Sequence, residues 1–227
     1  MNLSKRTALY VSLGAIAAYW TYAVLASRGG PVLPAHFQDL VWRIVRTKLI
    51  VLVAMLLLLR LAGEGFGSLG LTRKGWAGHA GIGVGFGLAM FVVFNVALES
   101  VLSSLVPRHA AGGPSIFAFF KDPANLAAWI PIGILGGGVV EELQRIFVLT
   151  RFEKWLGRPG LVLGVALSSA MFGLGHLYQG LGTAIGTGLA GVAFSLLYLR
   201  RRSAIEPIAA HALSDVLAVL AATMLAH

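Results

Sequence analysis

Residues 126–150 read LAAWIPIGILGGGVVEELQRIFVLT. A helix rises about 1.5 Å per residue, so a helix of this length spans the roughly 30 Å hydrocarbon core of a bilayer. The run is apolar until Glu141 and Glu142 stand side by side, with Arg145 one turn further on. Ionisable groups at membrane depth are costly, and they indicate a functional site by default. The stretch therefore predicts a transmembrane helix with a polar site inside it.

The composition extends this interpretation to the whole chain. Of 227 residues, 57% are hydrophobic and only 12% are charged, unlike an ordinary soluble domain. We therefore expect an all-α, polytopic integral membrane protein, a bundle of about seven transmembrane helices. The third segment is long enough to tilt or to break. The predicted segments are Thr7 to Ala26, Lys48 to Leu61, Ala77 to Val106, Leu126 to Thr150, Leu161 to Leu177, Leu181 to Leu199 and Ile205 to Leu225.

The connections are short, which predicts a single membrane domain over 1–227. Lys5 and Arg6 before an apolar run also fit a signal peptide, but a run of about 20 residues is longer than such peptides use. Cysteine is absent, so no disulfide, thiolate metal site or cysteine nucleophile is expected. Glycines inside the apolar segments predict close helix packing: Gly81, Gly83, Gly85, Gly87, Gly182 and Gly186.

Lysine and arginine gather at the ends of the apolar segments. Alternating the helices puts eleven on the side of the N-terminus: Lys5, Arg6, Arg60, Arg73, Lys74, Arg151, Lys154, Arg158, Arg200, Arg201 and Arg202. The other side has six: Arg28, Arg43, Arg46, Lys48, Arg108 and Lys121. By the positive-inside rule the N-terminus faces the cytoplasm. The net charge of +9 thus indicates contact with anionic lipid of the bilayer, and we expect no nucleic-acid partner.

Three predicted helices carry ionisable residues that we expect at membrane depth. The fourth has Glu141, Glu142 and Arg145, where i,i+4 spacing puts Glu141 and Arg145 on nearly one face, so that one carboxylate can pair with the arginine. The fifth has His176, with Phe172 one turn before it, and the seventh has His211 and Asp215, again at i,i+4. Each feature alone can be structural, a histidine bonding a neighbouring helix or an ion pair fixing register. Their occurrence together favours a site.

Peptide hydrolysis suits this set, because it needs an activated water, an oxyanion stabiliser and a proton donor. A glutamate removed from water is a better proton acceptor, so Glu141 and His176 can hold a water between them while His211, with Asp215, faces the oxyanion. Zinc bound by Glu141, His176 and His211 is an alternative, although the H-E-x-x-H motif is missing. We expect that no cofactor is required.

The order EE…R, FxxxH and HxxxD resembles the three motifs of the CPBP intramembrane proteases, the ABI family that includes the CAAX prenyl endopeptidases. The resemblance runs from about Gly67 to the C-terminus, with a core at about 120–227. It implies that Glu141 and His176 activate water, that His211 and Asp215 form the oxyanion site, and that Glu142 is a second essential acid.

Two departures from the family pattern stand out. The family arginine usually lies five residues after the first glutamate, where this chain has Ile146, and Arg145 comes one residue early. Asp215 stands where the family often has asparagine, and it donates a hydrogen bond only when protonated. It can instead orient His211.

We therefore expect an endopeptidase of a prokaryotic cytoplasmic membrane that cleaves membrane-associated proteins or peptides. In one branch of the family these substrates are lipidated. A non-catalytic immunity or scaffold protein of the same fold and a proton-coupled transporter are the alternatives. Alternating helices put His176 far from Glu141 and His211, so we also expect that HLYQGLG, from His176, turns within the protein.

Overall fold

A computed structural model describes residues 3–27, 33–98, 101–102 and 116–224. The part described is helical with short turns, which confirms the all-α prediction. Before the region of Glu141 the helices are α1 (Leu3–Ser27), α2 (Phe37–Leu61), α3 (Trp76–Met90, continued by wider π-helical turns over Phe91–Leu98) and the short α4 (Ile116–Lys121). From there the chain forms α5 (Leu126–Pro131), α6 (Glu142–Leu156), α7 (Arg158–Leu174), α8 (Leu181–Arg201) and α9 (Ile205–Met224).

Five helices in the described ranges are long and apolar enough to cross a membrane: Ser4–Leu25, Trp76–Phe94, Pro123–Leu156, Leu181–Arg201 and Ile205–Met224. Arg158–Leu174 is a shorter apolar helix. This agrees with a polytopic membrane bundle, while the number seven is not confirmed. Four predictions fall outside the described residues: the end of the third segment at Val106, the end of the seventh at Leu225, and the membrane sides of Arg28 and Arg108.

The second segment starts earlier than predicted. It was expected from Lys48, but α2 begins at Phe37, which puts Lys48 in the middle of a 25-residue helix rather than at its border. The cause is visible in the spacing of Phe37, Leu40, Val41 and Ile44, which follows one face of a helix between the charged residues.

The fourth segment is also longer than predicted. It runs without a break from Pro123 to Leu156, with π-helical turns over Ile132–Glu141 between α5 and α6. Pro131 has no N–H to donate and the glycines at 136–138 favour the helix weakly, so the widened turns follow from the sequence. Such turns are frequent at functional sites.

Helix α6 lies at the centre of the bundle, with most of its residues buried. Its core partners come from α1, α2, the 3₁₀ turn Phe66–Leu69, α8 and the residue before α9: Ile16, Met55, Leu59, Leu69, Tyr198 and Ala204. Helices α6 and α7 are joined at Gly157 and pack against each other, α7 packs on α8, and α9 packs on α3 and on the π-helical turns. The end of α7 therefore returns to the level where α6 begins.

The predicted glycine packing is present at some positions only. A Cβ on Gly83 or Gly87 would meet the backbone of α9, and one on Gly182 or Gly186 would touch Leu102. Gly81 and Gly85 have open space around the Cβ position, so close packing is wrong for these two.

Candidate active site

Glu142 is the fully buried carboxylate at the start of α6. Arg145 donates to it from Nε, 3.1 Å from Oε2, and from Nη2, 3.2 Å from Oε1. His211 Nδ1 lies 2.8 Å from the same Oε1. Because two cationic or donor groups converge on one carboxylate in the interior, this cluster is closely fixed.

The arginine thus pairs at i,i+3 with Glu142 rather than at i,i+4 with Glu141. The sequence interpretation assumed an unbroken α-helix, in which Glu141 and Arg145 share a face. The backbone is α-helical from Glu142 onward, and the carboxylate of Glu141 is bound instead by Lys48 of α2. Although Arg145 lies one residue before the usual position of the family arginine, it still has a carboxylate partner.

Glu141 faces a different set of groups. Its Oε1 accepts from Nζ of Lys48, and its Oε2 lies 3.8 Å from Nε2 of His211. Its side chain keeps 19% of its surface exposed, whereas that of Glu142 has none. Of the two adjacent carboxylates, Glu141 is therefore the one that a water or a substrate can reach.

His211 is buried between three carboxylates. Nδ1 faces Glu142, while Nε2 faces Glu141 and, at 3.5 Å, Oδ1 of Asp215. The ring also stacks on Phe194, with centroids 4.9 Å apart. Since a carboxylate accepts hydrogen bonds, the contact with Glu142 keeps a hydrogen on Nδ1 and fixes the orientation of the ring.

His176 stands just beyond α7, rather than inside the fifth helix as predicted. The helix ends at Leu174, a single turn of 3₁₀-helix covers Leu177–Gln179, and α8 starts at Leu181. This turn brings His176 close enough to Glu141 for an electrostatic interaction. The predicted separation of Glu141 and His176 is wrong. Because α6 continues to Leu156, both residues lie roughly 20–27 Å along their helices from the connection at Gly157, and therefore at the same level of the bundle.

Phe172 connects the three motifs. Its ring lies edge-on to His176, at 4.9 Å, and to His211, at 5.7 Å. The guanidinium of Arg145 lies 4.3 Å from the centre of the same ring. The structure therefore brings together every residue selected from the sequence: Glu141, Glu142, Arg145, Phe172, His176, His211 and Asp215.

The arrangement does not resemble a metal site. Within the described ranges, no group of three or more histidine and acidic side chains has the geometry to hold a metal ion. Both ring nitrogens of His211 face carboxylates, and Nδ1 of His176 lies 2.8 Å from the carbonyl oxygen of Phe172. The spacing of Glu141, His176 and His211 in this conformation therefore does not form a zinc site, although a histidine whose Nδ1 is hydrogen-bonded in this way still has Nε2 for a metal.

Sequence reasoning missed Lys48, which contacts Glu141 across 93 positions of the chain. The helical spacing upstream of Lys48 was the available signal, since it shows that this lysine is not at a helix border. Tyr178 was missed as well; its ring stacks on His176 at 6.2 Å and its hydroxyl accepts from Gln179.

Two cavities lie at the other end of α6. One, of about 270 Å³, is lined by Lys5, Leu9, Ala62, Glu64, Arg151 and Lys154. The other, of about 410 Å³, is open to the surface and lined by Gly67, Ser68, Gly70, Thr72, Thr150, Glu153, Lys154, Tyr198 and Arg202. Neither is lined by a residue of the candidate site.

Comparison with known proteins agrees with the motifs. Residues 123–217 match the model of the family described as type II CAAX prenyl endopeptidase Rce1-like. No curated protein and no solved structure matches the chain. The match covers Glu141, Glu142, Arg145, His176, His211 and Asp215, and it leaves α1 to α4 outside. Over residues 123–217, the chain is therefore similar to the Rce1-like type II CAAX prenyl endopeptidases.

Proposed function

We propose that this protein is an active intramembrane endopeptidase in which Glu141 activates the attacking water. The observation that carries the proposal is the contrast between the adjacent carboxylates. Glu142 is fully buried and bound by Arg145 and His211, whereas Glu141 is partly exposed and faces Nε2 of His211. A general base must reach the water whose proton it accepts, and the partly exposed Glu141 has that position.

His176 would hold the water from the other side. Its Nδ1 faces a carbonyl oxygen, which only accepts, so Nδ1 carries the hydrogen and Nε2 of the neutral ring is free to accept from the water. Two acceptors, Glu141 and His176, then orient the lone pair of the water toward the substrate carbonyl.

The reaction proceeds through a tetrahedral intermediate. The water oxygen bonds to the carbonyl carbon, its proton moves to Glu141, and the electron pair of the C=O bond moves to the oxygen, which becomes an oxyanion. When that pair returns, the C–N bond breaks, and the proton on Glu141 moves to the leaving nitrogen. His211 Nε2 would stabilise the oxyanion, while Arg145, through Glu142, and Asp215 keep the ring of His211 in place.

The family description supports a substrate with a prenylated C-terminal peptide. A lipid-tethered peptide would reach the site from the bilayer, which agrees with the long apolar helices around it. We therefore propose cleavage of membrane-associated, prenylated or otherwise lipidated, proteins or peptides.

The test uses the purified full chain in detergent with a farnesylated peptide ending in a CAAX sequence as probe. Glu141→Gln keeps the shape and removes the base, and we expect cleavage to fall by about 10³-fold. Glu153→Gln is the matched control, since Glu153 lies on the same helix and pairs with Arg202 at 2.6 Å away from the site. Equal cleavage by wild type and Glu141→Gln would refute the role of Glu141.

The substrate can be sought in parallel. Protein termini from host membranes carrying wild type or Glu141→Gln are compared by mass spectrometry. Termini that vanish in the variant identify the cleaved proteins, whether or not they are prenylated.

One observation favours the non-catalytic alternative. Lys48 occupies Oε1 of Glu141, and an ion-paired carboxylate is less available to a water. An immunity or scaffold protein with this pair would keep its cellular function in Glu141→Gln. The same variant thus separates the two functions.

A further inference from the structure

We propose that Lys48 is a further catalytic residue: its ammonium holds Glu141 in the resting site and donates a hydrogen bond to the oxyanion during cleavage. This inference rests on the proposed function. It also assigns a catalytic part to the first half of the chain, because Lys48 lies outside the residues that match the family.

The side chain of Lys48 is positioned by its own helix, α2, and by the π-helical turns that precede α6. Its stem passes over Gly136, where Cγ and Cε lie 3.8 Å from the place that a Cβ would take. The ammonium then reaches Oε1 of Glu141, and the side chain is 24% exposed. The ion pair of Lys48 with Glu141 is therefore neither fully exposed nor fully buried.

The other cation of the site is closed to a substrate. Arg145 is bound to Glu142 through Nε and Nη2, and its side chain is only 3% exposed. An ammonium has three hydrogens, and among the described residues the only hydrogen-bond acceptor of Lys48 is Glu141. Lys48 thus combines unused donors with a partly exposed position, while Arg145 is buried.

The site also needs another donor. His211 points Nε2 at two carboxylates, Glu141 and Asp215, and an ionised carboxylate cannot donate to an oxyanion. Without Lys48, a developing negative charge would lie beside these acids with a single donor. A positively charged donor in that place would stabilise the oxyanion, as preorganised donors aimed at the developing charge do.

The charge movement of the reaction explains how one lysine serves both states. When Glu141 takes the proton of the water, its negative charge is neutralised and the attraction of Lys48 for it weakens. The same step puts a negative charge on the carbonyl oxygen, a few bonds away. The ammonium therefore turns from Glu141 to the oxyanion, and no bond to Lys48 is made or broken.

The experiment measures cleavage of the farnesylated peptide by the full chain and binding of the matching peptide aldehyde, whose hydrate resembles the tetrahedral intermediate. Lys48→Met keeps the length of the side chain without the charge, and Lys48→Arg keeps the charge. Arg46→Met, an exposed position on the same helix, is the matched control. Thermal unfolding of each variant reports on folding.

We expect Lys48→Met to lower kcat by about 10²-fold with KM nearly unchanged, and to weaken aldehyde binding by a similar factor. Lys48→Arg should retain most of both, and Arg46→Met all of both. The inference is wrong if Lys48→Met cleaves as well as an active wild type, or if kcat falls while aldehyde binding is kept, since Lys48 would then only position Glu141. A wild type that cleaves nothing contradicts the proposed function instead, and with it this inference.

Discussion

The two ends of α6 both carry ion clusters, but the clusters differ in how completely the acids are neutralised. At the C-terminal end, Glu64 accepts from Arg151 and from Lys154, each at 2.5 Å, and Glu153 accepts from both terminal nitrogens of Arg202. Each of these carboxylate oxygens has its own cationic donor. The cluster is saturated and resembles a structural clamp.

At the N-terminal end, three carboxylates share fewer permanent charges. Glu142 has Arg145 and Glu141 has Lys48, whereas the ion-pair contact of Asp215 within the described ranges is the 3.5 Å contact with His211. Asp215 and Glu141 are also partly exposed, at 37% and 19%. The difference teaches that a helix can use similar residues for stability at one end and leave them available for chemistry at the other.

The largest effect is expected from Glu142→Gln. The variant leaves the charge of Arg145 buried without a partner, which typically costs about 3–5 kcal/mol, and it releases Nδ1 of His211. We expect a lower unfolding temperature and loss of peptide cleavage together. Glu153→Gln, on the same helix, should change both far less. A stable and active Glu142→Gln protein would show that the interior cluster is dispensable and would remove the distinction between the two ends.

Much of this site could be predicted from the sequence. The fold class follows from apolar length, and Glu141, His176 and His211 could be selected from motifs, which are local signals, although His176 lies beyond the end of its predicted helix. The partner of Arg145 could not be predicted, because both glutamates are within its reach on the helix and Glu141 is bound by Lys48 of another helix. The helical spacing places Lys48 inside a helix, but its contact with Glu141 could not be predicted, since that contact depends on how α2 packs against a segment 93 residues later.

An intermediate effect is expected from Gly137→Ala. A Cβ at Gly137 would collide with Oδ2 of Asp215 and would lie 3.4 Å from Nε2 of His211. Crowding of this kind costs about 1–3 kcal/mol, and here it would also displace Asp215 from His211. We expect reduced cleavage with a modest loss of thermal stability.

Gly85→Ala is the control for that substitution, because the Cβ position of Gly85 is open. Alanine is favoured over glycine in a helix by about 1 kcal/mol, so this variant should be at least as stable as wild type and equally active. If Gly137→Ala cleaves as well as Gly85→Ala, Asp215 has no part in holding His211.

The smallest effect on cleavage is expected from Glu64→Gln, at the saturated end. Partial burial alone would raise the pKa of Glu64, but the hydrogen bonds and charges of Arg151 and Lys154 outweigh it and hold that pKa below the ordinary value of 4.5. A lowered pKa in the folded protein means that the ion pairs stabilise the fold above pH 4.5 and that this contribution is lost as the pH falls through the lower, folded value.

Wild type should therefore lose thermal stability in that acid range, and Glu64→Gln should lose less, because it has no carboxylate to protonate. Unfolding temperatures from pH 7 to pH 3 check this, with cleavage at pH 7 expected to be unchanged. If Glu64→Gln instead abolished cleavage while remaining folded, the cluster at the C-terminal end of α6 would be coupled to the chemistry, and the division between a structural and a chemical end would be wrong.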